Sequence, residues 1–108
     1  MRELTGPELM QWHPEPAPLL LDVREPGEVA LASIRIEGME SLHIPMGDIA
    51  SRAAELDATQ PVVCICHHGV RSAQVVVFLT RRGFTASYNL TGGIDAWSTE
   101  VDPAVPRY

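Results

Sequence analysis

The sequence predicts an open α/β sheet, mostly parallel, with helices on both faces. Three observations carry this. Short, continuous apolar runs such as Leu19–Leu21 and Val62–Ile65 alternate with longer stretches at helical spacing. The runs are apolar throughout rather than alternating, as strands covered on both faces require. Polar or reactive groups, Asp22 and Cys66, stand at the ends of two of these runs, where open α/β sheets place their ligands.

The elements follow in order. Thr5-Gly-Pro-Glu8 reads as a capping box, with Thr5 at the N-cap and Glu8 three residues on. A short helix starts there and stops before the breakers Pro14, Pro16 and Pro18. "PLLLDVRE" is a strand with Asp22 at its end. "PGEVALAS" gives one or two helical turns, and "SLHIP" a second strand stopped by Pro45. "MGDIASRAAEL" places Ile49, Ala53 and Leu56 at helical spacing, so a helix is expected. "PVVCIC" is the central strand. "VRSAQVVVFLTRRG" contains the β-branched run Val75-Val-Val77, but its length, Arg81-Arg82 near its end and Gly83 as a stop favour a helix. "TASYNL" is a strand, "GGIDAWSTEV" a final short helix with Trp97 in the core, and "DPAVPRY" an extended tail.

Composition bounds the function. A chain of 108 residues, 45% hydrophobic, is expected to form one domain over residues 1–108. Only two cysteines occur, Cys64 and Cys66, and a disulfide across so short a loop would be strained. A reducing, cytoplasmic setting is the expectation. The start "MRELTGPELMQWH" has no apolar signal-peptide core, and no apolar run reaches a bilayer span, so no membrane partner is expected. Net charge is −6, which argues against nucleic acid. Yet residues 58–94 hold no Asp or Glu while carrying Arg71, Arg81 and Arg82. That segment suits a small anion or a thiolate.

The chemistry concentrates in "VCICHHGVRS", Val63–Ser72. Cys66 ends a strand, and a helix begins near Val70 or Arg71. The loop His67-His68-Gly69-Val70 between them can curl its amides around the sulfur as an anion-binding nest. Gly69 permits the backbone this needs, and the helix adds its positive end. Such surroundings favour the thiolate, so Cys66 is the candidate nucleophile. Arg71 adds a fixed positive charge and Ser72 a hydroxyl. Arg71 is otherwise a helix-start arginine paired with Asp22 or Glu25. His67 and His68 either donate amides only or act as acid–base groups. Asp22 and Arg24 are read as an ion pair supporting the site from behind. Cys64 lies within the strand and reads as core, with a resolving thiol as the sharper alternative. Consecutive residues in a tight turn cannot converge on one tetrahedral metal, and His13 and His43 offer no second ligand pair, so no metal is expected. Cu(I) on the two thiolates is the weaker alternative.

"LLLDVREPGE", "LHIP", "VVCICHHGVRSAQVVVFLTRRGF" and "YNLTGGIDAW" together resemble a single-domain rhodanese-like sulfurtransferase, in the expected order and over essentially the whole chain. The resemblance implies the rhodanese α/β sheet, Cys66 as the sulfur-carrying cysteine, and His67 to Arg71 as its cradle. It implies double displacement: Cys66 takes sulfane sulfur from a small anionic donor such as thiosulfate. A thiophilic acceptor, cyanide in vitro or a thiol or sulfur-carrier protein in the cell, then removes it. No cofactor is implied. Related phosphatases use Cys-x5-Arg; here Cys66 to Arg71 is Cys-x4-Arg, and Cys64 gives Cys-x6-Arg. The shorter ring resembles the sulfur-transfer version. The chain departs from the family over Ala30–Ser41, which lacks the usual Gly-His-Ile-Pro-Gly-Ala. The tail "VDPAVPRY" resembles rhodanese domains found alone or at the end of adenylating enzymes. The alternative function is a non-catalytic module that senses persulfide or redox state or binds a protein partner.

Overall fold

A computed structural model describes residues 1–108. Five strands, β1 (Glu3–Leu4), β2 (Leu19–Asp22), β3 (Glu40–His43), β4 (Val62–Ile65) and β5 (Ser87–Leu90), form one sheet in the order β1-β5-β4-β2-β3. Every pairing is parallel. Register aligns Leu21 with Cys64 and Cys64 with Asn89 across the three middle strands. The helices are α1 (Gly6–Gln11), α2 (Pro26–Leu31), α3 (Ile49–Arg52), α4 (Val70–Arg81) and α5 (Gly93–Glu100).

The side-chain period of two divides the core between the faces. Leu21, Val62, Cys64 and Cys66 face one way and pack with Ile49 of α3 and Val75, Val76 and Leu79 of α4. Leu20, Val63 and Ile65 face the other way and pack with Leu9 of α1 and Ile94 and Trp97 of α5. Each middle strand is thus buried on both sides, which is why its sequence is apolar at successive positions. The four expected strands and the capping box at Thr5 are present, and Trp97 is core.

One element is additional and one local expectation needs correction. The strand β1 was unannounced: it is two residues long and exists by pairing Glu3 with Asn89 and Leu4 with Leu90. The helix expected over Met46–Leu56 is broken into α3 flanked by 3₁₀ turns at Met46–Asp48 and Ala53–Glu55. Ile49 and Ala53 still pack inward as the spacing required. The last turn tightens where Arg52 pairs with Glu55 three residues on, the separation that a 3₁₀ turn eclipses.

Candidate active site

Parallel strands end on the same side, so the segments after β2, β4 and β5 meet there. Cys66 follows β4 directly, and its residue is 1% exposed. The chain turns at Gly69 with φ +100°, a value only glycine holds cheaply, and enters α4 at Val70. That turn brings the Gly69 N–H to 3.0 Å from Cys66 Sγ. Ser72 Oγ stands 3.2 Å from the same sulfur. Backbone N–H groups of Arg71 and Ser72 also point at it. From the other side α5 holds the loop by its carbonyls. Ile94 N donates to Cys66 O at 2.9 Å, and Asp95 N to His67 O at 3.1 Å. Gly93, at φ +62°, makes this approach possible, because a Cβ there would overlap both carbonyls.

The surroundings decide the state of each thiol. Burial pushes the Cys66 thiol up, but the Ser72 hydroxyl and the amides of Ser72, Gly69 and Arg71 outweigh it, and the net shift is down. Cys64 has burial and the neighbouring Cys66 charge against it, and its pKa is pushed up to about 12. One cysteine is built to ionise and its neighbour is not.

Arg71 pairs with neither Asp22 nor Glu25. Its two guanidinium nitrogens reach Glu28 of α2 at 2.6 and 2.8 Å. Its positive charge is therefore shared with a carboxylate, and the Arg71 pair holds Glu28 at a pKa of about 2. Asp22 and Arg24 do form an ion pair, with Arg24 fully buried and Nη2 2.6 Å from Asp22 Oδ2. None of the hydrogen bonds of the Arg24 side chain goes to the Cys66 loop. It donates to Ala32 O, Glu28 O and the Tyr108 hydroxyl, bracing α2 and the tail, and its own carbonyl meets His43 Nε2 at 2.6 Å.

The tail runs back over this end of the sheet. Tyr108 accepts from Arg24 Nη1 at 2.9 Å and donates to Glu28 Oε2 at 2.9 Å. Its ring stacks on His67 at 3.9 Å, and His67 stacks in turn on His68 at 3.8 Å. Arg107 pairs with Asp95, clamping the tail to α5. The His67 ring is thus more than an amide carrier, and its Nε2 is buried with no hydrogen-bond partner. His67, His68 and Asp95 bring one ligand atom each within 4.8 Å of one another. The imidazole planes are stacked 3.8 Å apart and inclined by only 28°, so one ion does not lie in both ring planes, and Asp95 already serves Arg107. Chelation by this trio would require the stack to open.

Sequence reasoning missed Glu28, Asn89, Asp95 and Tyr108. Asn89 accepts from Ser72 and donates to Gly69 O, joining β5 to the loop. Val70, in contrast, contributes its backbone position only, its side chain being exposed.

Residues 5–100 match the rhodanese-like domain family. A putative sulfurtransferase of Bacillus subtilis, YtwF, is 42% identical over 86 residues, covering 78% of this chain and 77% of that protein. The thiosulfate sulfurtransferase GlpE of Pseudomonas syringae is 34% identical over 93 residues, 86% of this chain and 84% of the relative. A longer chloroplastic rhodanese-like/PpiC domain protein of Arabidopsis thaliana is 38% identical, and this chain spans 30% of it. Among solved structures, a rhodanese-related protein of Thermoplasma volcanium superposes over the full length of both chains with a TM-score of 0.81 at 31% identity.

Proposed function

The chain belongs to the rhodanese-like domain family, and on that premise we propose that it is a sulfurtransferase of the thiosulfate type working through a Cys66 persulfide. One observation carries the reading. Cys66 Sγ sits as the acceptor at the centre of a ring of donors, Gly69 N at 3.0 Å, Ser72 Oγ at 3.2 Å and the amides of Arg71 and Ser72. Such a ring stabilises a thiolate before attack and a persulfide anion after it.

The first step forms an S–S bond between the Cys66 thiolate and the outer sulfur of thiosulfate. The old S–S bond breaks, and its electron pair leaves with sulfite. In the second step an acceptor thiolate or cyanide attacks the outer persulfide sulfur and takes it away, restoring the Cys66 thiolate. The two displacements balance without an external oxidant, cofactor or metal. The donor is a small anion and the acceptor a thiol or sulfur-carrier protein, in a cytoplasmic setting where both thiols stay reduced. His67, His68, Gly69, Val70, Arg71 and Ser72 form the loop that receives the donor, and Asp22 and Arg24 act at one remove, by bracing α2, whose Glu28 holds Arg71. The Cys66-to-Arg71 ring is one residue shorter than the Cys-x5-Arg of the related phosphatases, so release of phosphate from an aryl phosphate would count against the reading.

The test is intact mass after incubation with thiosulfate. One added sulfur atom is expected, removed by cyanide and absent in Cys66→Ser. If Cys66→Ser still accepts sulfur and Cys64→Ser does not, the nucleophile is wrong. A stable persulfide that no acceptor discharges would point to the sensing module instead.

A further inference from the structure

Behind the sulfur lies a hydrogen-bond chain that the reaction above does not use. Ser72 Oγ is 3.2 Å from Cys66 Sγ and 2.5 Å from Asn89 Oδ1. Ser72 is fully buried and Asn89 is 3% exposed, so water does not compete for these bonds. A hydroxyl carries one proton and can serve only one of the two acceptors at a time. The amide is not free to turn over. Its Nδ2 donates to Gly69 O at 3.0 Å and to Glu3 Oε1 at 3.3 Å. Neither group can donate back, so Oδ1 is the atom left facing Ser72.

We infer that Asn89 is a positioning residue for Cys66: it competes for the single Ser72 proton and so governs how readily the sulfur ionises. The inference rests on Cys66 being the reactive thiol. In the thiol state S–H donates to Ser72 Oγ and Ser72 donates to Asn89, and every group has a partner. In the thiolate state the hydroxyl turns toward Sγ, and Asn89 Oδ1 is left buried without its donor. Ionisation of Cys66 is therefore coupled to rotation of a neighbouring hydroxyl, and Asn89 pulls toward the resting thiol.

Other charged or titratable groups surround this chain. Arg71 at the head of α4 favours the thiolate, and Cys64 of β4 lies beneath it. Glu3 of β1 reaches Asn89 and Thr91 rather than the sulfur. His67 and His68 of the loop lie against Tyr108, with Asp95 of α5 and Glu28 of α2 beyond them. None of these stands between Ser72 and Asn89, but Asn89 also holds Gly69 O, so the proton competition is read from the difference between Asn89 substitutions made with and without Ser72.

The experiment measures the rate of iodoacetamide alkylation against pH in a Cys64→Ser chain, where Cys66 alone reports. Asn89→Ala is expected to move the midpoint of the profile down by about one pH unit. In a Ser72→Ala chain the same substitution is expected to move it by nothing measurable, because the proton it competes for is gone. Melting curves verify folding, and Asn89→Leu, of similar volume, replaces Asn89→Ala if the smaller side chain does not fold. An unchanged or raised midpoint overturns the inference, as does an equal shift with and without Ser72. The readout is ionisation rather than sulfur transfer, so a failed persulfide assay and a failure here are separate results.

Discussion

Gly93→Ala tests how the reactive loop is held. Gly93 has φ +62°, and a Cβ added there would collide with the carbonyl oxygens of Cys66 and His67. Those carbonyls receive the Ile94 and Asp95 amides at 2.9 and 3.1 Å. Relieving the collision means moving them apart. The left-handed backbone costs an alanine about 1 kcal/mol, and two strained buried hydrogen bonds cost about 1 kcal/mol each. The sum, about 3 kcal/mol, is a large share of the ~5–15 kcal/mol that holds a domain of this size together. Gly38 supplies the control: its φ is +84°, and a Cβ there meets nothing within 4 Å. Gly38→Ala carries the backbone cost alone, about 1 kcal/mol. Urea denaturation followed by circular dichroism measures both, and the difference isolates the contact with the loop. Gly93→Ala is also expected to slow Cys66 alkylation several-fold, since moving the Cys66 and His67 carbonyls shifts the sulfur and the start of the loop relative to the Gly69 amide and the Ser72 hydroxyl. If the two variants are destabilised equally, within about 0.5 kcal/mol, and alkylation is unchanged, α5 does not hold the loop as described.

Three further outcomes are expected. At pH 8 iodoacetamide modifies Cys66 before Cys64, because both sulfurs are buried but Cys66 is held toward the thiolate while the Cys64 pKa is pushed up to about 12; mass mapping reads the site, and labelling of Cys64 ahead of Cys66 in the native chain contradicts the assignment. Glu28→Gln removes a carboxylate whose folded pKa is lowered to about 2 by Arg71, so its contribution is fully present above its unfolded value near ~4.3 and is lost as pH falls through about 2. The pair is partly exposed, so the expected cost is about 1 kcal/mol, constant from neutrality to about pH 4.5 and shrinking below; a gap that widens on acidification contradicts the sign. Tyr108→Phe keeps the ring on His67 but removes one acceptor from the fully buried Arg24, for a loss of about 1 kcal/mol by urea denaturation, and no loss means that Glu28 O alone satisfies that nitrogen.

Much of the fold was legible because it is a local property. Leu19–Leu21 and Val62–Ile65 are apolar at every position, and only burial on both faces asks for that. Cys66, Gly69 and Ser72 were legible for the same reason, since the turn from Cys66 to Ser72 makes its own geometry. The β1 strand was not, because two residues carry no period and their pairing energy comes from Asn89 and Leu90, far along the chain. The split at α3 was not, because apolar spacing fixes which side chains face inward but not whether the backbone between them closes every fourth residue or every third.

The partners of the site were lost at a different step. Glu28 is one charge among the exposed-looking residues of "PGEVALAS", and nothing beside it marks it as the Arg71 partner. The order of the sheet would have supplied the mark. Strand β4 lies between β2 and β5, and parallel strands deliver their following segments to one end. The first helical turn after β2 carries Glu28, the turn after β4 carries Arg71, and the end of β5 carries Asn89 with Asp95 just beyond. A carboxylate, a guanidinium and an amide brought to one edge by three adjacent strands will pair there, whatever their separation in sequence. Arg71 and Glu28 are 43 residues apart, Ser72 and Asn89 are 17 apart, and both pairs follow from the strand order once it is known. Tyr108 follows from neither strand order nor period. It is held by whichever groups the other elements leave open, the Arg24 Nη1, the Glu28 Oε2 and the free face of His67. Its place becomes readable only after the rest of the site has been assembled.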